Sequence, residues 1–319
     1  MPKFRPTLEI DSDHKEVFSL RETPSIVTIP AKTLVSRVSR PADWFGADYN
    51  MNIYRGCSHG CIYCDSRSDC YRNTDFDTVK VKEDALRIIR DELRRKVQTG
   101  VISTGAMSDP YNPLEQELRL TRNALELINA FGFGVGIATK SPLVARDIDI
   151  LQDIKAHSPV IVKLTITTAD DGLCKKLEPG AASSSERFAA LKRLAAAGIC
   201  VGVLMMPILP FINDTEENIR RLLTMAKSAG AVFVYPSLGM TLRSGNREYY
   251  YEQIDRLFPG VKQRHIARYG ERYNCTSPQA KKLWAAFKSG CEELGLLYDM
   301  RDITRRYKTG YGDRQLNFL

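Results

Sequence analysis

Three thiols fall within one short segment of this 319-residue chain, Asn52-Ile-Tyr-Arg-Gly-Cys57-Ser-His-Gly-Cys61-Ile-Tyr-Cys64. Thiolates are the ligands of soft metals and of iron-sulfur clusters. The spacing Cys-x3-Cys-x2-Cys on a loop punctuated by Gly56 and Gly60 points to three corners of a four-iron cluster, with the fourth iron open to a ligand that is not protein. The competing chemistry is a zinc site made by the same cysteines with Cys70 or His59, because zinc takes four thiolate or imidazole ligands. Such sites usually supply two Cys-x2-Cys knuckles, whereas Cys61 and Cys64 form the one pair here.

The cysteines need elements to hold them. A short strand near Met51 to Tyr54 delivers the loop, and an amphipathic helix over 81–97 follows, apolar at Leu86, Ile89, Leu93 and Val97. Gly100 closes it, and Val101-Ile-Ser-Thr-Gly reads as a buried strand. The unit then recurs: helix 120–131, strand 134–139, helix 146–156, strand 160–167, helix 185–197, strand 199–206, a helix after Asp214, which with Glu217 offers a capping box, and strand 231–235. Alternation at a pitch of roughly 30 residues implies βαβ units around a parallel sheet. Six strand patterns result, short of the eight of a closed barrel. Residues 1–48 read as an irregular extension, with an edge strand at Ser25-Ile-Val-Thr-Ile and Trp44-Phe45 packed on the body. A helix over 278–294 dominates a C-terminal part that closes the open side of the sheet.

The composition, 43% hydrophobic and 26% charged, is that of a globular protein in water. An excess of 46 basic over 38 acidic residues permits a polyanionic partner without requiring one. Eight cysteines, three clustered and five scattered, do not make the dense framework of a secreted disulfide scaffold. No apolar signal core opens the chain and no uninterrupted apolar run is long enough to span a bilayer, so a cytoplasmic protein without membrane association is expected.

The loop in this setting resembles the radical SAM superfamily over about residues 50 to 240, because Cys57, Cys61, Tyr63 and Cys64 match its Cys-x3-Cys-x-aromatic-Cys motif. The resemblance implies an α/β fold: a partial parallel (β/α)6 barrel of the radical SAM type at 49–243, with an N-terminal extension at 1–48 and a C-terminal α-rich subdomain at 244–319. It also implies a [4Fe-4S] cluster on Cys57, Cys61 and Cys64, S-adenosylmethionine on the open iron, and Tyr63 beside the adenine. The chemistry so implied is one-electron cleavage of the cofactor, driven by an external electron donor, to a 5'-deoxyadenosyl radical that takes hydrogen from substrate.

Further stretches, Ser103-Thr-Gly-Ala-Met-Ser108-Asp109, Ala138-Thr-Lys140, Leu164-Thr165-Ile-Thr167, Leu177-Glu-Pro-Gly180 with Glu186-Arg187, and Pro207-Ile-Leu-Pro-Phe-Ile-Asn-Asp214, resemble the spore photoproduct lyase-like, DNA repair photolyase-related branch. That resemblance places Ser108, Lys140 and Thr165 at the methionine part of the cofactor, and an ammonium at Lys140 suits a carboxylate. The branch pattern has a cysteine where this chain has Ala106 and a tyrosine where it has Asp65, so the same radical need not act on the same lesion. Of the other cysteines, Cys200 reads as core, and Cys70 and Cys275 are the candidates for a hydrogen donor.

Arginines and lysines interleave with tyrosines after Ser244, namely Tyr249 to Tyr251, Lys262, Arg264, Arg268, Tyr269, Arg272 and Tyr273, a pattern that suits phosphate neutralisation and base stacking by a nucleic-acid substrate. The terminal Gln315, Leu316, Phe318 and Leu319 resemble the peptide with which bacterial DNA-processing proteins dock on the replication sliding clamp. The leading reading is a radical enzyme acting on nucleic acid. The alternatives are the same chemistry on a protein or small metabolite, and a metal-stabilised nucleic-acid-binding module without catalysis.

Overall fold

The computed structural model describes residues 26–40 and 44–311, together with the backbone of two paired strands at Thr7–Ile10 and Glu16–Ser19. Six parallel strands lie side by side in chain order: β1 (Tyr49–Met51), β2 (Val101–Thr104), β3 (Gly134–Thr139), β4 (Val160–Thr165), β5 (Cys200–Met205) and β6 (Phe233–Pro236). A short strand, Val35–Arg37, pairs antiparallel with the free edge of β1. Between the strands run α1 (Ala85–Arg94), α2 (Leu120–Ala130), α3 (Ile148–Lys155), α4 (Ser184–Ala196) and α5 (Glu216–Ser228). The result is the open parallel barrel expected from the alternation. Strands β2 to β5 are buried almost throughout, as strands covered on both faces must be. Helix α1 buries Ala85, Ile89 and Leu93 at four-residue spacing, and α4 opens on a capping box between Ser183 and Glu186.

Three local expectations change. The strand read across 51–54 is two strands: β1 ends at Met51, and Tyr54–Arg55 turns away to pair with Lys80–Lys82, which also pairs with Val27–Ile29. Val81 is therefore a buried strand residue rather than the start of a helix, because strands from earlier in the chain pair with it on both sides, at Thr28 and Tyr54. The helix after Asp214 is capped by Thr215, whose side chain accepts from the Asn218 N–H. The Asp214 carboxylate instead accepts from the Phe211 N–H and the Ser277 hydroxyl.

The C-terminal part packs on the barrel at three places. Helix α6 (Ala280–Leu294) lies along α5, and Leu297 then forms a parallel bridge with Phe233, covering the outer edge of β6. Helix α7 (Met300–Lys308) brings Ile303 and Tyr307 into the barrel lumen beside Phe45, Val101, Ile161, Leu204 and Phe233. There the Tyr307 hydroxyl donates to the Phe45 carbonyl at 2.6 Å. Phe45 thus packs inward as expected, 1% exposed, and the Lys163 ammonium lies 4.8 Å from its ring centroid. A boundary at 243/244 crosses a continuous core, since Cys61, Ile62, Tyr63 and Leu177 pack in one cluster with Tyr250, Ile254, Tyr269 and Cys275. Among the described residues no helix is long and apolar enough to cross a membrane.

Candidate metal and cofactor centre

The cysteine loop leaves the Tyr54–Arg55 strand and ends in a 3-10 turn at Asp65–Arg67. Cys57, Cys61 and Cys64 are free thiols that line one cavity with Ser108, Asp109, Lys140 and Thr165, at and just past the C-terminal ends of β2, β3 and β4. This is the end of a parallel barrel at which loops assemble sites. Cys64, Ser66 and Ala106 also line an adjoining cavity of about 500 Å³, bounded by Tyr63, Asp65, Met206, Pro207, residues 237–241, Asn274 and Thr276.

Asp109 organises the strand ends. Its carboxylate accepts from the Thr139 hydroxyl at 2.6 Å, the Lys140 N–H at 2.8 Å and the Tyr111 N–H at 2.9 Å. His59 Nδ1 stands 3.5 Å from the same carboxylate. Burial depresses the His59 pKa, helped by the charges of Lys140 and Arg187 and opposed by Asp109, so the imidazole is neutral at ordinary pH. The Ser108 hydroxyl donates to the Gly56 carbonyl at 2.5 Å and ties the start of the cysteine loop to the β2 end.

Lys140 has its ammonium 5.6 Å from the Tyr63 ring centroid. Burial alone would lower its pKa, but Cys61 and Glu178 beside it outweigh that and leave it raised, so the side chain is cationic. The Tyr63 hydroxyl donates to Glu178, which also pairs with Arg187. Burial would raise the Glu178 pKa, and the neighbouring Arg187 and Lys140, with the Tyr63 hydroxyl, hold it below the ordinary carboxyl range instead. Burial pushes the Cys57 thiol up to about 11, with Asp109 adding to the shift, and raises Cys61 further. Metal ligation has to displace those protons.

The donor set fits an iron-sulfur cluster. Three thiols surround a cavity beside a cationic lysine, as a cluster whose irons stand apart requires, and among the described residues no three His, Cys, Asp or Glu side chains converge on a single-ion position. Of the candidate fourth zinc ligands, Cys70 does not line this cavity and its sulfur lies 3.3 Å from the Arg243 guanidinium, whereas His59 does line it, with Nδ1 3.5 Å from the Asp109 carboxylate.

Residues 51–223, more than half of the chain, match the family model described as Radical SAM superfamily. The chain belongs to the radical SAM superfamily. As a radical SAM protein it has a [4Fe-4S] cluster and S-adenosylmethionine as its cofactors. An uncharacterised protein of Mycobacterium tuberculosis is 32% identical over 232 residues, covering 70% of this chain and 67% of that one. An uncharacterised protein of Methanocaldococcus jannaschii is 36% identical over 194 residues, covering 60% and 70%. Spore photoproduct lyase complexed with dinucleoside spore photoproduct shares the fold with a TM-score of 0.63 at 17% identity, over 84% of this chain and 79% of that one.

The structure brings six of the residues singled out in the sequence, Cys57, Cys61, Cys64, Ser108, Lys140 and Thr165, to one cavity, and puts Tyr63 in the wall of its neighbour. Sequence reasoning gave no role to Asp109, Glu178 or Arg187. A signal was present for Arg187, which shares the apolar stripe of α4 with Leu191 and Leu194, a position where an unpaired arginine would be costly. Of the tyrosines offered for base stacking, Tyr250 and Tyr269 are core residues, while Tyr273 is 43% exposed. Cys275 is fully buried and lines neither cavity. Gln315, Leu316, Phe318 and Leu319 lie outside the described residues.

Proposed function

We propose that Cys57, Cys61 and Cys64 hold the cluster, that Lys140 and Thr165 meet the methionine part of S-adenosylmethionine with Ser108 at the edge of that subsite, and that the adjoining cavity receives the substrate. The observation that carries this reading is the lining shared by the two cavities at Cys64, Ser66 and Ala106, which puts the thiols and the larger space in contact. When bound, cluster and cofactor together supply one-electron cleavage to a 5'-deoxyadenosyl radical that abstracts hydrogen from substrate. The residues of the chain bind and orient. The Lys140 ammonium neutralises a carboxylate, Asp109 fixes the backbone from which Lys140 projects, and Tyr63 offers a ring face to the adenine from the wall of the larger cavity. Met206, Pro207, Leu238 and Met240 make an apolar wall that keeps water from a reactive centre. Protein reconstituted anaerobically with iron and sulfide, then reduced with S-adenosylmethionine present, is expected to form 5'-deoxyadenosine. A brown, cluster-loaded protein that forms none would overturn the enzymatic reading.

The rim of the larger cavity favours a nucleic acid as substrate over a protein or a small metabolite. Arg243 stands 3.6 Å from Asp65 in the cavity wall, with its guanidinium over the rings of Tyr273 at 4.8 Å and Tyr71 at 5.7 Å. A cation framed by aromatic rings and next to a residue of the cavity wall suits phosphates and bases. The fold shared with spore photoproduct lyase, solved with a dinucleoside photoproduct, supports the same reading. Oligonucleotide binding is expected to weaken steeply with salt and to weaken further in Arg243→Gln; affinity indifferent to both would redirect the search to other substrates.

A further inference from the structure

Glu178 and Arg187 form an ion pair in which neither side chain has any exposure, directly behind the cysteine loop. Two charges without water are costly unless their remaining hydrogen-bonding capacity is met, and apolar residues of the same volume often serve stability as well. Here most of that capacity is met at the candidate centre, although the Arg187 Nε has no hydrogen-bond partner among the described residues. Arg187 donates to the Thr165 carbonyl at 2.8 Å, at the end of β4, and to the Ala182 carbonyl at 2.6 Å. Glu178 accepts from Tyr63, one of the two residues between Cys61 and Cys64. The backbone that carries Glu178 is stitched to the same loop, because the Ile62 N–H donates to the Leu177 carbonyl at 3.0 Å and the Gly180 N–H to the His59 carbonyl at 2.9 Å. A side chain at Gly180 would put its Cβ 2.3 Å from the Ser58 carbonyl oxygen, so the two segments are in direct contact.

We propose that Glu178 and Arg187 are positioning residues for the cluster: the pair clamps the cysteine loop to the end of β4 through Tyr63 and Thr165, and the buried carboxylate helps to set the reduction potential of the cluster on that loop. This rests on the cysteine loop holding the cluster. A carboxylate near a cluster opposes the added electron, and the low dielectric of a buried site keeps that influence from being screened. Arg187 holds the carboxylate in place, and the Tyr63 hydroxyl partly offsets its charge toward the loop.

The test is a redox titration followed by electron paramagnetic resonance on reconstituted protein without S-adenosylmethionine. Glu178→Gln, which removes the negative charge and keeps the shape, is expected to move the midpoint potential to more positive values. Tyr63→Phe, which strips the hydroxyl from the carboxylate and leaves its charge less offset, is expected to move it to more negative values. Shifts of opposite sign are not what loosened packing alone would give. Glu178→Gln leaves Arg187 buried without its counter-charge, so if that variant does not fold, the negative shift in Tyr63→Phe decides. Cluster-loaded variants with the wild-type potential would overturn the positioning role while leaving the proposed function standing, whereas wild-type protein that assembles no cluster would remove the proposed function itself.

Discussion

Cys57→Ala, Cys61→Ala and Cys64→Ala are each expected to give a protein that is colourless after reconstitution and forms no 5'-deoxyadenosine. A cluster held by three thiolates, with its fourth iron reserved for the cofactor, has no spare protein ligand. Among the described residues, no other cysteine lines the cavity. The loss is chemical rather than a loss of fold. Cys61, 5% exposed, sits in a cluster with Ile62, Tyr63 and Leu177, and trimming a buried thiol to a methyl group there costs about 1–2 kcal/mol. Before reconstitution, far-ultraviolet circular dichroism and thermal melting are therefore expected to stay close to cluster-free wild type, and after it visible absorbance is absent. Cys275→Ala is the control, a fully buried cysteine that lines neither cavity. It is expected to pay a similar packing cost and to stay brown. Retained colour and activity in any of the three loop variants would remove that residue from the ligand set.

Lys163→Met is expected to stabilise the protein, and to do so most at and below neutral pH. Lys163 is 1% exposed in the barrel lumen, beside Gly136, where a Cβ would come within 3.4 Å of its nitrogen. Burial lowers its pKa from 10.5 to about 7, and no counter-charge opposes that shift. The folded state therefore binds fewer protons than the unfolded chain between those values, and wild-type stability rises with pH across that window. The penalty is complete below pH 7 and fades as pH approaches 10.5; a shift of this size corresponds to about 5 kcal/mol as an upper bound, reduced by the attraction of the ammonium to the Phe45 ring. Methionine fills the same length of lumen without a charge. Urea denaturation of both proteins at pH 6.5 and pH 9.5 reads the effect as a difference, so that thiols and tyrosines titrating in the same range cancel. A variant equally stabilised at both pH values, or destabilised at both, would show that Lys163 is paired or hydrated in the fold.

The expectation for Cys61 draws on local spacing and the expectation for Lys163 on three-dimensional surroundings. Nothing around Lys163 in the sequence distinguishes it from a strand lysine with its ammonium in water. Its neighbours in the lumen arrive from far along the chain, Phe45 from the N-terminal extension and Tyr307 from the last described helix, bound to each other through a hydrogen bond. The same distance in sequence hid Glu178 and Arg187. Each stands in a motif that the sequence displays, yet their partners, Tyr63 and the Thr165 carbonyl, lie on other elements. Asp214 is a similar case: it reads as a helix cap until Ser277 reaches it from the C-terminal part and the adjacent Thr215 takes the cap.

By itself, the sequence determined the cysteine triad and the alternation of strand and helix, because each follows from periodicity or spacing within a short window, whereas Ser108, Lys140 and Thr165 are singled out by resemblance. Tertiary structure alone decided that Val81 belongs to a strand, that Tyr250 and Tyr269 are core rather than stacking surface, and that the thiol cavity shares Cys64, Ser66 and Ala106 with a larger one. The physical reason is common to all of them. A local pattern reports whether a segment can form an element with one buried face, whereas strand pairing, the satisfaction of a buried charge and the adjacency of two cavities depend on residues that only the completed fold brings within a few ångströms.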